Sequence, residues 1–208
     1  MYRKYFKRLV DILGSLFTLS LLSPLFVLIA VAIKINSKGP VFFTQNRVGL
    51  NKKEFQIYKF RTMLTLENSY YKDGSPIENY DRITSVGRFL RKTSLDEIPQ
   101  IINIIKGEMS IIGPRPTLLY QVEKYNSTQM KRLEVKPGLT GLAQVNGRNS
   151  LSWEEKINYD LKYVDNISFI GDTVIVLKTI SVLFKSETVE FKAHDAISKH
   201  AGDVRDDI

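Results

Sequence analysis

The chain has 208 residues, the size of one domain with room for a small appendage but not for a second catalytic domain. Hydrophobic residues make up 43% and charged residues 25%, which excludes wholesale disorder, collagen-like repeats and a bundle of membrane spans. Lys and Arg number 30 against 22 Asp and Glu, so the net charge of +8 favours anionic partners, and the absence of cysteine removes disulfides, thiolate metal sites and cysteine nucleophiles.

The first element is apolar. No residue from Ile12 to Ile33 is charged, and about 22 helical residues at about 1.5 Å each reach roughly 33 Å, enough for a hydrocarbon core of about 30 Å. The run is long for a secretory leader, contains Pro24 and lacks a small-residue cleavage site before Lys34. Arg3, Lys4, Lys7 and Arg8 precede it while Lys34, Lys38, Arg47, Lys52 and Lys53 follow, so both flanks are of the kind that stays in the cytoplasm. Ser23-Pro24 removes a backbone donor mid-segment, and the Ser23 hydroxyl is placed to satisfy a carbonyl freed there. Two readings stand together: a re-entrant helix-break-helix that enters and leaves on one face, and a spanning helix kinked at proline.

Val41 to Met63 reads as a β-hairpin turning at Gly49 to Lys52, and Lys59 and Arg61 alternate with apolar positions on its return strand. Leu64 to Arg82 is a polar loop. Short helices are expected from Ile83 to Lys92, from Leu95 to Lys106 and near Leu118 to Leu133, with a Gly/Pro turn region at Gly107 to Pro116 and a Gly-rich loop from Lys136 to Asn149. Ser152 and Glu155 form a capping box that opens a helix to about Asp165. Phe169 to Phe184 is apolar but too short to span, which predicts a helix that is buried or lies in the membrane interface. The remaining residues, with both histidines, His194 and His200, form a polar tail.

Nucleotide-binding glycine fingerprints, HExxH and EF-hand loops are absent from the sequence. What remains is a carboxylate pair, Asp96-Glu97. Ser94-Leu95-Asp96-Glu97 reads locally as a second capping box, and the same geometry places a nucleophilic carboxylate and a hard-cation ligand beside phosphate-binding backbone donors. Gly113-Pro114-Arg115-Pro116 presents an arginine on a restricted backbone, either a rigid exposed turn or a phosphate fork. The glycines of Lys136 to Arg148 suit an ordinary loop or a backbone cradle for a nucleotide.

The order of these motifs, a basic start and Ser-Pro-interrupted apolar segment, then KFRTM, RKTSLDEIPQ, GEMSIIGPRP and KPGLTGLAQVNGR, resembles the small monotopic polyprenyl-phosphate phosphoglycosyl transferases over roughly residues 1 to 185. The likeness is greatest to minimal members that prime N-linked glycans with diacetylbacillosamine phosphate. The resemblance implies an α+β fold: a re-entrant membrane segment at 1–38, a cytosolic domain at 39–185 with a small hairpin, mainly helical structure and interfacial amphipathic helices, and a tail at 186–208. It implies Asp96 as nucleophile on the β-phosphorus of a UDP-sugar, expelling UMP, and a polyprenyl phosphate as acceptor. Glu97 is then a second catalytic residue and the Mg²⁺ ligand, Lys59, Arg91, Arg115 and Arg148 bind substrate, and Ser23 and Pro24 form the membrane break. It further implies the bacterial cytoplasmic membrane, with the domain facing the cytoplasm and no nucleic-acid partner, and leaves a homo-oligomer open. Two alternatives are a non-catalytic, membrane-anchored basic binding module and a single-step transferase in which Asp96 forms no covalent bond.

Overall fold

The computed structural model describes residues 2–71, 75–78, 81–147 and 150–184, so the expected tail at 186–208 and Arg148 lie outside the described residues. The apolar segment forms one helix, α1 (Lys7–Asn36), entered through a π-helical turn at Tyr2–Phe6. The interruption expected at Ser23-Pro24 is a missing hydrogen bond inside this helix rather than a gap between two helices. Pro24 has no N–H for the carbonyl of Ser20, and the Ser23 hydroxyl donates to that carbonyl at 2.8 Å. One replacement bond is enough to keep helical geometry on both sides.

Both ends of α1 are bound to the globular body. Near its start, Arg8 donates to the carbonyls of Ile104 and Ile105 at 2.6 and 2.9 Å, and buried Asp11 accepts from Ser110 Oγ and the Ile111 N–H at 3.0 and 2.9 Å. At its other end, Ile29 and Ile33 pack with Phe60 and Leu90. Buried Arg61 donates to the Ser37 and Lys38 carbonyls that follow the helix. The basic residues expected to steer topology are thus partly structural: Arg8 satisfies carbonyls at the end of a helix, and Lys7 pairs with buried Asp172 at 2.6 Å.

The hairpin is as expected: β1 (Phe42–Val48) and β2 (Glu54–Phe60) pair antiparallel, Phe43 opposite Lys59 and Arg47 opposite Phe55. Asn103, fully buried, binds the outer edge of β2 as a strand would, accepting from the Tyr58 N–H at 3.1 Å and donating to the Gln56 carbonyl at 2.7 Å. The next helix, α2 (Ser85–Thr93), is capped by Thr84 and ends at Ser94. A 3-10 turn over Leu95–Gln100 follows, then α3 (Ile101–Lys106). The helix expected from Leu95 is therefore split, because Pro99 has no N–H to donate to the Leu95 carbonyl.

The expected helix near Leu118 to Leu133 is instead α4 (Leu119–Val122), α5 (Ser127–Met130) and a 3-10 turn at Lys131–Glu134. Asn126 caps the second of these and divides the run. The Gly-rich stretches hold a parallel strand pair that hydrophobic periodicity does not reveal: β3 (Ser110–Ile112) beside β4 (Gly138–Thr140), followed by α6 (Leu142–Val145). A Cβ at Gly113 would stand 2.4 Å from the Lys136 carbonyl oxygen and 2.9 Å from the Gly138 nitrogen, so glycine here permits backbone-to-backbone contact. The chain then forms α7 (Trp153–Asp165), opened by the expected Ser152–Glu155 capping box, and α8 (Phe169–Phe184). α8 buries Asp172 and Ile175 and leaves Ile170 and Leu177 exposed, while the half-exposed Phe169 ring meets Tyr2 and Phe6 edge-on.

Candidate active site

The carboxylate pair is set by the backbone of Ser94. That residue adopts a left-handed conformation, φ 57°, and its side chain caps nothing, which overturns the second capping box. Its N–H returns to Arg91 as the cap of α2, and the chain turns sharply into the 3-10 segment bearing Asp96 and Glu97. Glu97 is drawn away from the backbone by stronger partners. Its Oε1 accepts from Lys59 Nζ at 2.7 Å and from Arg115 Nη2 at 2.5 Å, and its Oε2 accepts from Arg115 Nη1 at 3.3 Å.

Each partner has its own support. Lys59 stands on β2, whose far edge is fixed by Asn103. The Arg115 carbonyl accepts from Arg132 Nη2 at 3.2 Å, and Arg132 is itself buried in an ion pair with Asp160 and a hydrogen bond with Tyr125. The Arg115 side chain is half-exposed. Arg91 donates from Nε to Thr62 Oγ1 at 2.9 Å, which leaves the outer guanidinium nitrogens free toward Asp96. Gly87 allows that placement, since a Cβ there would lie 2.0 Å from the Thr62 carbonyl oxygen.

Asp96 has no hydrogen bond or ion pair among the described residues, although Lys59, Arg91 and Arg115 all act on it electrostatically. Burial, aided by the neighbouring Glu97 charge, raises its pKa to about 6 against those cations. Burial also acts upward on Glu97, but the Arg115 and Lys59 charges and hydrogen bonds prevail and hold it at about 2. Near neutral pH the site thus contains a clamped, fully ionised Glu97 and a poorly solvated carboxylate with free lone pairs, the properties of a nucleophile.

A divalent cation fits the donor set. Glu97 Oε2 accepts one hydrogen bond and keeps a second lone pair, and the Asp96 oxygens are unengaged. Among the described residues no three His, Asp or Glu side chains form a metal-binding group. Substrate phosphates and water would therefore supply most ligands, as is usual for Mg²⁺.

The structure brings together Asp96, Glu97, Lys59, Arg91 and Arg115; Ser23 and Pro24 lie on α1, and Arg148 is outside the described residues. Sequence reasoning missed Arg47 and Lys156, both of which sense the Arg115 charge. Period-two alternation was the available signal for Arg47, since its pairing with Phe55 puts it on the Lys59 face of the hairpin.

An unpaired carboxylate beside three cations thus stands on a body that carries one helix long and apolar enough to cross a membrane. The sequence model of the bacterial sugar transferase family matches residues 2–186. The chain is 40% identical over 196 residues to the uncharacterized sugar transferase EpsL of Bacillus subtilis, covering 94% of this chain and 96% of that one. It is 42% identical over 188 residues to the exopolysaccharide production protein ExoY of Rhizobium meliloti, covering 84% and 83%. It is also 44% identical over 183 residues to a UDP-glucose:undecaprenyl-phosphate glucose-1-phosphate transferase of Klebsiella pneumoniae, covering 84% of this chain and 39% of that longer protein. The chain belongs to the bacterial sugar transferase family and is a transferase enzyme.

Proposed function

We propose that the protein transfers a sugar 1-phosphate from a UDP-sugar to a membrane polyprenyl phosphate, in two steps through a covalent Asp96 intermediate, as the first membrane step of a polysaccharide or glycan pathway. The observation that carries this reading is the contrast within the dyad, one carboxylate clamped by two cations and the other unpaired. The substrate class is supported by relatives named for UDP-glucose and for undecaprenyl-phosphate galactose transfer.

In the first step an Asp96 carboxylate oxygen attacks the β-phosphorus, the bond from that phosphorus to the bridging oxygen breaks, and its electron pair leaves with UMP. In the second, a phosphate oxygen of the polyprenyl phosphate attacks the same phosphorus, and the bond to Asp96 breaks to return the carboxylate. Arg91, Arg115 and Lys59 hold and neutralise the phosphates, with Glu97 keeping two of them in place. Glu97 Oε2 and Asp96 are the residues that would hold Mg²⁺, which would add neutralising charge on the phosphate oxygens.

Membrane attachment is monotopic in this reading, from the cytoplasmic face. Polar contacts at Arg8 and Asp11 and at Ser37 and Lys38 are made to one body, which supports both ends of α1 lying on one side of the bilayer. The exposed apolar face of α8 supports a second, interfacial contact. Incubation with UDP-glucose or UDP-galactose alone should release UMP up to one equivalent and add a sugar-phosphate mass to the peptide containing Asp96. UMP release that requires polyprenyl phosphate, with no adduct, would favour direct transfer.

A further inference from the structure

Arg47 and Lys156 both lie near enough to Arg115 for its charge to act on them. The Val48 N–H donates to the Thr117 carbonyl at 2.9 Å in an antiparallel bridge, so β1 runs alongside the Pro114–Pro116 turn and Arg47 stands next to it. Arg47 Nη2 is occupied by Gln45 at 2.7 Å, but its buried Nε has no partner, and it makes no ion pair among the described residues. Arg132 ties the Arg115 carbonyl to Asp160 on α7. Lys156 precedes Asp160 by four residues, one turn away on the same helical face. Its ammonium group has no hydrogen bond or ion pair among the described residues, and burial together with the Arg115 charge lowers its pKa. The same two causes lower that of Arg47. Three cations thus converge where Glu97, already engaged with Lys59, is the carboxylate at hand. That arrangement costs free energy when empty and is relieved by an anion.

We propose that Arg47 and Lys156, with Arg115 between them, form one phosphomonoester subsite that holds the departing nucleotide monophosphate in the first step and the entering polyprenyl phosphate in the second. The inference rests on the two-step reading above and on the stereochemistry of displacement at phosphorus. Entering and leaving oxygens lie roughly in line. Asp96 is the entering group in the first step and the leaving group in the second, so the other partner stands opposite Asp96 both times. Both partners present the same chemistry, a phosphomonoester carrying about −1.5 to −2 charge near neutral pH. An arginine with a free, buried Nε, a second arginine fork and an unpaired lysine match it.

The test uses the full chain in detergent or nanodiscs. UMP affinity is measured by calorimetry, and kcat and KM are measured for a short-chain polyprenyl phosphate. Arg47→Met should weaken UMP binding and raise the polyprenyl phosphate KM together, by roughly tenfold to a hundredfold, the worth of a charged hydrogen bond. Lys156→Met, on a different element from Arg47, should move the same two quantities in the same direction, and Arg47→Lys should recover part of the loss. A change in UMP affinity alone, or in the lipid KM alone, overturns the shared subsite. If neither moves while the wild-type enzyme still forms its Asp96 adduct, the inference fails and the two-step reading stands. A wild-type enzyme that forms no adduct removes the reading and the inference together.

Discussion

Asp96 and Glu97 are adjacent in the chain yet electrostatically opposed: Glu97 accepts hydrogen bonds from Lys59 and Arg115 at 2.7 and 2.5 Å and is held at about 2, whereas Asp96 has no partner and is pushed up to about 6. The proposed nucleophile is therefore one that the fold tolerates rather than one that holds it together. Asp96→Asn should make the protein more stable at pH 8. The cost of the ionised, poorly solvated carboxylate is fully present above about pH 6 and disappears as pH falls toward the unfolded value of 3.8. The gain in Tm, about 2–4 °C for each kcal/mol in a domain of this size, should shrink at pH 5. Thermal unfolding of both proteins at pH 8 and pH 5 checks it, and an Asn variant that melts lower at pH 8 contradicts the assignment.

Glu97→Gln should do the reverse. Glu97 is held low, so its stabilisation is present above the unfolded value of 4.5 and is lost as pH falls through about 2. Removing that charge leaves Lys59 and Arg115 facing one another without their shared partner. The variant should melt below wild type at pH 7, and its turnover should be lost or need more Mg²⁺. Equal activity of the wild-type enzyme with and without EDTA would count against any divalent-metal requirement.

The rate of the first step should fall about tenfold per pH unit below about 6, because attack requires the ionised form of Asp96. Polyprenyl phosphate titrates near the same pH, as phosphomonoesters do with a second pKa of about 6. The measurement is therefore single-turnover UMP release from UDP-sugar alone, whose phosphates stay ionised through this range. A flat profile between pH 5 and 7 would mean that Asp96 is not the group being deprotonated.

Much of this was legible in residues that act locally, and little in those that act through the fold. The hairpin, the Ser152–Glu155 cap and the Ser23 hydroxyl bond follow from alternation, spacing and a missing proline donor. The parallel pairing of β3 with β4 does not, because each strand is three residues long and its defining feature is the close passage of Gly113 against Gly138 from distant sequence. The dyad was visible as Asp-Glu, and the resemblance implied separate roles for its two members, but the ion pairs that clamp Glu97 were not visible, since Lys59 and Arg115 come from other segments, 38 and 18 residues away. Local spacing favoured a capping box at Ser94, and tertiary charge partners outcompeted it. Arg47 looked like one more basic residue after the membrane segment until the Val48–Thr117 bridge brought it to the site.

Asp172 should be the most sensitive position outside the site. It is buried and accepts from Tyr2 and Lys7 at 2.6 Å and from Tyr163 at 2.9 Å, joining the start of α1 to α7 and α8. Asp172→Asn leaves the Lys7 ammonium without its counter-charge and should cost about 3 kcal/mol. Lys7→Met with Asp172→Asn should recover part of that loss, as expected for a coupled pair. Denaturant unfolding in a fixed detergent measures both. Single and double variants of equal stability would leave no role for the ion pair.

The two ends of α1 should be accessible from the same side of a sealed membrane. The helix has 30 residues, about 45 Å if straight, so length alone permits a crossing. The contacts argue otherwise. Arg8 binds carbonyls at the end of α3, and Arg61 binds Ser37 and Lys38 just beyond α1, so a crossing would tear one set of polar contacts from the body and leave it across the hydrocarbon. The Ser23 hydroxyl lets the proline sit within the helix without an orphaned carbonyl, which is what a bend inside lipid requires. With no native cysteine to remove, single cysteines at exposed Arg3 and Lys52 can be labelled in inside-out and right-side-out vesicles with a membrane-impermeant maleimide. Both should react in inside-out vesicles and neither in right-side-out ones. If Arg3→Cys reacts only from the outer face while Lys52→Cys reacts only from the inner face, the helix crosses, and the contacts at one of its ends do not form in the membrane.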